Sequence, residues 1–372
     1  MRALVGFLTF TVAALIPMVW AGGTLPSNPL ARHSSADADV KSSEEPPIQA
    51  AFFYPWFPNA WDQAGIYPYT NYTPSLGLYD SRDDAVIDEQ LRLAARAHIE
   101  AFISSWWGQG HHTDTAFQYI LSRSERVDSP YPNLRWAIYY ENESQGDPTV
   151  SQIVSDLQYL ANNYFQHSGY LRVDGRPVVF VYADAADGSG MADRWAQAKA
   201  QFGSNIYVVL KVYSGYRNDP NQPDSWHQYA PAVAYDSQLP YSVTVSPGFW
   251  KVGEAPRLSR DPARFELDVQ RMAASGAFWQ LVTAWNEWGE GTSVEPATEF
   301  GNTYIDILCR NLPGTADCLS AVGGIAELPD VARSSDPSYI ALAGLAAAAV
   351  VAIAGGAWYA RRQRRAAGGR SF

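Results

Sequence analysis

Short apolar runs alternate along the chain with longer stretches in which apolar residues return every three or four positions, the pattern of repeated βαβ units around a parallel sheet. The runs predict eight strands, over 49–54, 101–106, 136–140, 178–182, 206–212, 233–235, 242–245 and 280–284. Helical periodicity predicts helices over 83–98, with Leu91, Ala94, Ala95 and His98 on one face, and over 113–126, 149–164, 262–274 and 304–311. The helix at 262–274 opens on Pro and is followed by Gly276, as helix boundaries favour. The expected fold is α/β: a single (β/α)8 TIM barrel over 48–320, close to the roughly 250 residues such a barrel takes.

The alternation stops at both ends. The apolar segment after Met1-Arg2, closing on Ala21-Gly22, predicts a signal peptide over 1–21, with an uncleaved anchor as the alternative. Residues 22–47, rich in Ser, Pro, Ala and Asp, read as a flexible linker, and 321–337 as a second one. The uncharged run 338–360 is long enough, at about 1.5 Å per residue, to predict a transmembrane helix. Four arginines within 361–365 open a basic tail, 361–372, and orient the C-terminus to the cytoplasm. The expected location is the cell membrane, crossed once, with the barrel outside.

Charge and composition narrow the chemistry. A net charge of −11 argues against nucleic acid as a partner. Thirteen Trp and 22 Tyr supply flat apolar faces with polar handles, which suit sugar binding and a large core equally. The only cysteines, Cys309 and Cys318, could close a short loop outside the cytoplasm. His111, His112 and Asp114 lack the ligands from a second element that a metal site needs. Asn71-Tyr72-Thr73 and Asn142-Glu143-Ser144 fit the glycosylation acceptor pattern. No Ser-His-Asp order, phosphate loop or nucleotide fingerprint occurs; no metal and no cofactor is expected, and the chain is expected to be a monomer.

Barrel sites are assembled where strands end, and the expected ends are polar and aromatic. They read Tyr54-Pro55-Trp56, Ser105-Trp106-Trp107-Gly108, Tyr140-Glu141-Asn142 and Tyr182-Ala183-Asp184, then Lys211 with Tyr213, Tyr235-Asp236 and Ser246-Pro247-Gly248. The last strand runs into Trp285-Asn286-Glu287-Trp288, and Glu290, Glu295 and Glu299 follow. Two carboxyls close together at a strand end are what glycoside hydrolysis needs, one to protonate the leaving oxygen and one to assist attack at the anomeric carbon. The acid must keep its proton at working pH, through shielding, here by Trp285 and Trp288, or through a neighbouring negative charge.

Several stretches resemble glycoside hydrolase family 99, the endo-acting α-mannosidases and mannanases: AFFYPWF at 51–57, TPSLGLYDSRDDAVID at 73–88, ISSWWG at 103–108, RPVVFVYAD at 176–184, VSPGF at 245–249 and NEWGEGTSVEPA at 286–297. The resemblance implies a retaining endo-glycosidase acting on an α-mannan or related α-linked oligo- or polysaccharide, at an α-1,2 linkage. It makes Glu290 the general acid/base and Glu287 the second carboxylate, which either removes a proton from the sugar's 2-hydroxyl or attacks directly. Tyr54, Trp56, Trp107, Glu141, Tyr182, Asp184, Asn286 and Trp288 become candidates for substrate binding. Two departures stand out: Gly289 where the family commonly has His, and IYYENE in place of a His-Xaa-Glu-Pro arrangement. An α-glucan hydrolase, a sugar-transferring enzyme of surface-polysaccharide assembly and a non-catalytic carbohydrate-binding barrel remain the alternatives.

Overall fold

The computed structural model describes residues 44–184, 187–314 and 318. The signal peptide, almost all of the first linker, the second linker, the transmembrane helix and the basic tail expected from the sequence lie outside these. No helix among the described residues is long and apolar enough to cross a membrane.

In chain order the elements are β1 (Ile48–Phe53), α1 (Asp84–Arg96), β2 (Ala101–Trp106), α2 (His112–Ser124), β3 (Arg135–Tyr140), α3 (Val150–Asn163), β4 (Arg172–Val173), β5 (Arg176–Val181), α4 (Ser189–Phe202), β6 (Tyr207–Lys211), β7 (Ser225–His227), β8 (Tyr235–Gln238), β9 (Ser242–Val245), α5 (Pro262–Ala273), β10 (Trp279–Val282) and α6 (Thr303–Asn311). Eight strands run parallel in the order β7-β6-β5-β3-β2-β1-β10-β9. The two outer strands of that order are tied by a side chain, Thr244 Oγ1 in β9 donating to the carbonyl of Gln228 just past β7 at 2.6 Å, and Thr283 Oγ1, just past β10, donates to the carbonyl of Tyr229 at 2.6 Å. The result is an α/β barrel.

Strand alternation sorts the core. Ile48, Ala50 and Phe52 point into the barrel with Ile103, Tyr139, Phe180, Val209, Trp279 and Leu281. Ala51 and Phe53 point outward with Phe102, Trp136, Ile138 and Val179, against Ile87, Leu91, Phe117, Ile120 and Leu157 of the helices. Each fully buried aliphatic or Phe side chain of this kind contributes about 1.5–3 kcal/mol of transfer free energy. Caps fix where helices start: Asp83 accepts from Ala85 N, Thr149 and Gln152 form a capping box, and Asp261 precedes Pro262 at the start of α5.

The order of elements corrects the expected sixth strand. Residues 233–235 are not in the parallel set; Tyr235 begins β8, which pairs antiparallel with β9 as the other arm of a hairpin. The sixth parallel strand is β7, whose Ser-Trp-His sequence carries no apolar run. Its polar residues are tolerated inside because each is bonded: Trp279 Nε1 donates to Ser225 Oγ at 3.1 Å, and His227 Nε2 lies 3.2 Å from the Tyr139 hydroxyl. Burial pushes His227 down to about 3, so it stays neutral. The sixth strand therefore ends in Gln228-Tyr229, not in Tyr235-Asp236. α4 was also not expected; it begins among Gly188 and Gly190 and ends at Gly203, held at φ 117°, where a side chain would strain the backbone.

Candidate active site

Beyond β10 the chain is sewn to the neighbouring strand end. Trp285 N donates to Phe52 O at 2.7 Å. Asn286 grips Tyr54 from both sides, accepting from its amide at 2.8 Å and donating to its carbonyl at 3.1 Å. Behind this clamp, Tyr79 OH accepts from Asn286 Nδ2 (3.2 Å) and Trp288 Nε1 (3.1 Å) and donates to Glu295 Oε2 at 2.7 Å. Gln90 Nε2 of α1 donates to the other Glu295 oxygen at 2.8 Å. Glu295 is fully buried, and burial pushes it up to about 7.

The loop so anchored presents two carboxyls. Glu287 is 6% exposed. Its Oε1 accepts from Glu290 N at 3.2 Å, while among the described residues no group bonds its Oε2. Glu290 is half-buried and its Oε2 accepts from the Tyr229 hydroxyl at 3.2 Å. The backbone between them is held from outside, Trp250 N donating to Glu290 O (2.8 Å) and Val252 N to Gly289 O (3.0 Å). Burial raises both acids. For Glu287 the next cause is the charge of Glu290; for Glu290, the Tyr229 hydroxyl and the cations Lys251 and Arg257 pull the other way.

A third acid and a wall of rings complete the mouth. Glu141, 5% exposed, is pushed up to about 8, by burial first; the Ser105 hydroxyl and Lys211 oppose this, while Glu290's charge adds to it. Ser105 Oγ also accepts from Trp56 Nε1 at 3.0 Å. The Tyr229 ring lies 6.4 Å from Tyr54, 6.5 Å from Tyr139 and 6.3 Å from Tyr182. Trp56 packs on Tyr54 at 4.6 Å and faces Trp107 at 6.4 Å. The two tryptophans line a cleft of about 340 Å³ with Asn59, Gln63, His111 and His112. Lys211 Nζ sits 4.3 Å above the Tyr182 ring and donates to Ala183 O at 2.8 Å.

Of the residues singled out in the sequence, Tyr54, Trp56, Trp107, Glu141, Tyr182, Glu287 and Glu290 come together here. Asp184 stands exposed beside Lys211. Asn286 and Trp288 lie fully buried behind the site, their polar atoms committed to Tyr54 and Tyr79. Tyr229 was missed because its strand was misplaced; the Ser-Trp-His-Gln-Tyr sequence of 225–229 carries no apolar run that would have marked it. Tyr139, Tyr79 and Tyr69 were missed as well.

The Glycosyl hydrolase family 99 model matches residues 51–215, and the Glycosyltransferase WbsX model matches residues 259–308. A glycoprotein endo-alpha-1,2-mannosidase of Mus musculus is 21% identical, across 70% of this chain and 71% of its own length. Its Rattus norvegicus counterpart is 20% identical across 74% of each. The uncharacterized protein WxcX of Xanthomonas campestris is 23% identical across 66% of this chain and 44% of its own length. Among solved structures, the GH99 endo-alpha-mannosidase from Bacteroides thetaiotaomicron superposes with a TM-score of 0.57 at 18% identity, covering 71% of this chain and 95% of that one.

Proposed function

We propose that the chain is a divergent, family-99-like glycoside hydrolase that cleaves internal α-mannosidic linkages, α-1,2 among them, with retention of configuration, using Glu290 and Glu287. The observation that carries this is the pair itself: a buried and a half-buried carboxyl on one clamped turn, Glu290 bonded by a tyrosine and Glu287 with an oxygen, Oε2, that no described residue bonds. In the proposed first step the Glu290 carboxyl proton goes to the glycosidic oxygen as its bond to C1 breaks. Glu287 Oε2 takes the proton of the sugar's 2-hydroxyl, whose oxygen closes on C1. Water then opens that ring, giving its proton to Glu290, while Glu287 returns its proton to O2. Direct attack by Glu287 on C1 is the competing first step.

Burial and Glu290's charge favour a protonated Glu287, the reverse of what the first step needs. A 2-hydroxyl donating to Oε2 stabilises the charged form of Glu287 and moves the single proton of the pair to Glu290. Substrate itself is thus proposed to arm the acid. The Cys309–Cys318 disulfide suits an oxidising compartment, in keeping with a barrel held outside the cell membrane by the 338–360 run; that tether is proposed from the sequence alone.

Product analysis tests the assignment. Wild-type protein incubated with α-linked mannans is expected to release internal fragments of retained anomeric configuration, and Glu287→Gln to release none. An inverted anomer, or unchanged hydrolysis by Glu287→Gln, ends this reading. The WbsX match over residues 259–308, which include both acids, favours sugar transfer as the second reading; product formation only when a nucleotide sugar is supplied would establish it.

A further inference from the structure

Gly289 sits between the two acids and has no side chain, yet the space beside it is filled. A Cβ built there lies 2.8 and 2.9 Å from Cε1 and Cδ1 of Tyr69, and 3.2 Å from Glu287 Oε1. The Tyr69 ring therefore rests on the bare backbone of residue 289, immediately beside the Glu287 carboxyl. It arrives from the long loop between β1 and α1, and Tyr69 N donates to Trp61 O at 2.8 Å.

Two further contacts hold that loop in register with the turn. Asn71 Nδ2 donates to Trp250 O at 2.7 Å, and Trp250 N in turn holds Glu290 O. At Gly291 a Cβ would lie 2.8 Å from Trp250 O and 3.2 Å from the Tyr72 ring. The acid turn is thus clasped between the 69–72 segment and Trp250, with glycine at both points of closest approach. Tyr69 is nevertheless only half-buried, so it is not consumed by packing against the turn.

We propose that Tyr69 is a specificity-determining residue of the glycosidase site: reaching over Gly289, it supplies from another loop the side chain that meets the sugar next to Glu287. This rests on the hydrolase reading above. An aromatic face with a hydroxyl at its edge recognises a pyranose by stacking on its C–H face and bonding an equatorial or axial hydroxyl. Coupling to Gly289 follows from the geometry, because any side chain at 289 must displace the ring.

The test uses the full chain, with an α-1,2-linked mannotetraose as probe for hydrolysis by wild type and for calorimetric binding by Glu290→Gln. Tyr69→Ala is expected to raise KM about tenfold with melting temperature unchanged, and to weaken mannotetraose binding equally in the Glu290→Gln background. Tyr69→Phe is expected to separate stacking from the hydroxyl by a smaller rise. Gly289→Ala alone is expected to impair binding as Tyr69→Ala does, and to add nothing in the Tyr69→Ala background. A lowered melting temperature with unchanged KM and binding makes Tyr69 packing only and overturns the proposal, while hydrolysis by wild type keeps the function reading intact. If wild type neither cuts nor binds the tetraose or a panel of α-linked mannans and glucans, both fall. Additive losses from Gly289→Ala and Tyr69→Ala overturn the coupling between them.

Discussion

Two glutamates at the end of β3, two positions apart, meet opposite surroundings. Glu143 turns toward α4, where Arg194 lies 2.5 Å from its Oε2 and Trp195 Nε1 donates to its Oε1 at 2.7 Å. The same guanidinium also holds Asp187 at 2.7 Å and Asp147 at 3.2 Å. Glu141 turns into the barrel mouth, with a hydroxyl as its donor and Glu287 and Glu290 as fellow acids. Burial raises both; only around Glu143 does a bonded cation pull back. The acid cluster with its own arginine is a structural rivet. The acids without one are where protons can move.

The sharpest way to break this contrast is to neutralise one member on each side. Glu290→Gln is expected to lower kcat/KM by about 10²–10⁴, the range of a lost general acid, with melting temperature unchanged or raised, since a neutral amide replaces an acid whose charged form its surroundings disfavour. Arg194→Met is expected to do the reverse, costing about 3–5 kcal/mol of stability by leaving Glu143 buried without its cation, while activity measured well below the transition stays near wild type. Paired kinetics and thermal melts check both. Equal thermal losses in the two variants would erase the distinction.

Next in size is the pH dependence of stability. Glu141 is held at about 8, above the roughly 4.3 of an unfolded glutamate. The folded state therefore binds the extra proton between those values, and stability falls as pH rises through that window. Glu141→Gln is expected to flatten the fall, with a gain at pH 8 on the order of a few kcal/mol. Melts of both proteins between pH 5 and 8 decide it; parallel curves would mean that Glu141 is ionised in the fold.

The strong periodic runs were legible: β1, β2, β3, β5 and β10 fall within a residue or two of expectation, because fully buried parallel strands leave continuous apolar segments. β7 was not, since its interior face is Ser225 and His227, whose burial depends on partners, Trp279 and Tyr139, that sequence spacing does not reveal. The acid pair was legible from one loop. The network that holds it was not, because Tyr79, Gln90 and Tyr69 arrive from the first loop and first helix, far away in the chain. Nor does the sequence say which way a side chain at a strand end turns, and that alone separates Glu141 from Glu143.

The smallest effect concerns the residue that the misplaced strand concealed. Tyr229 reaches Glu290 through its hydroxyl alone, and its backbone carbonyl, bonded by Thr283, is untouched by loss of that oxygen. Tyr229→Phe is expected to cost about tenfold in kcat/KM, the scale of one hydrogen bond. The hydroxyl stabilises the charged form of Glu290 and lowers its pKa, so its removal raises that pKa further. If Glu290 is the general acid, activity persists to higher pH and the alkaline limb of the kcat/KM profile moves upward. A role in packing predicts no movement of either limb. A downward movement would mean that the limb belongs to another group, and with Glu287 beside it the acid and the base would have to exchange names.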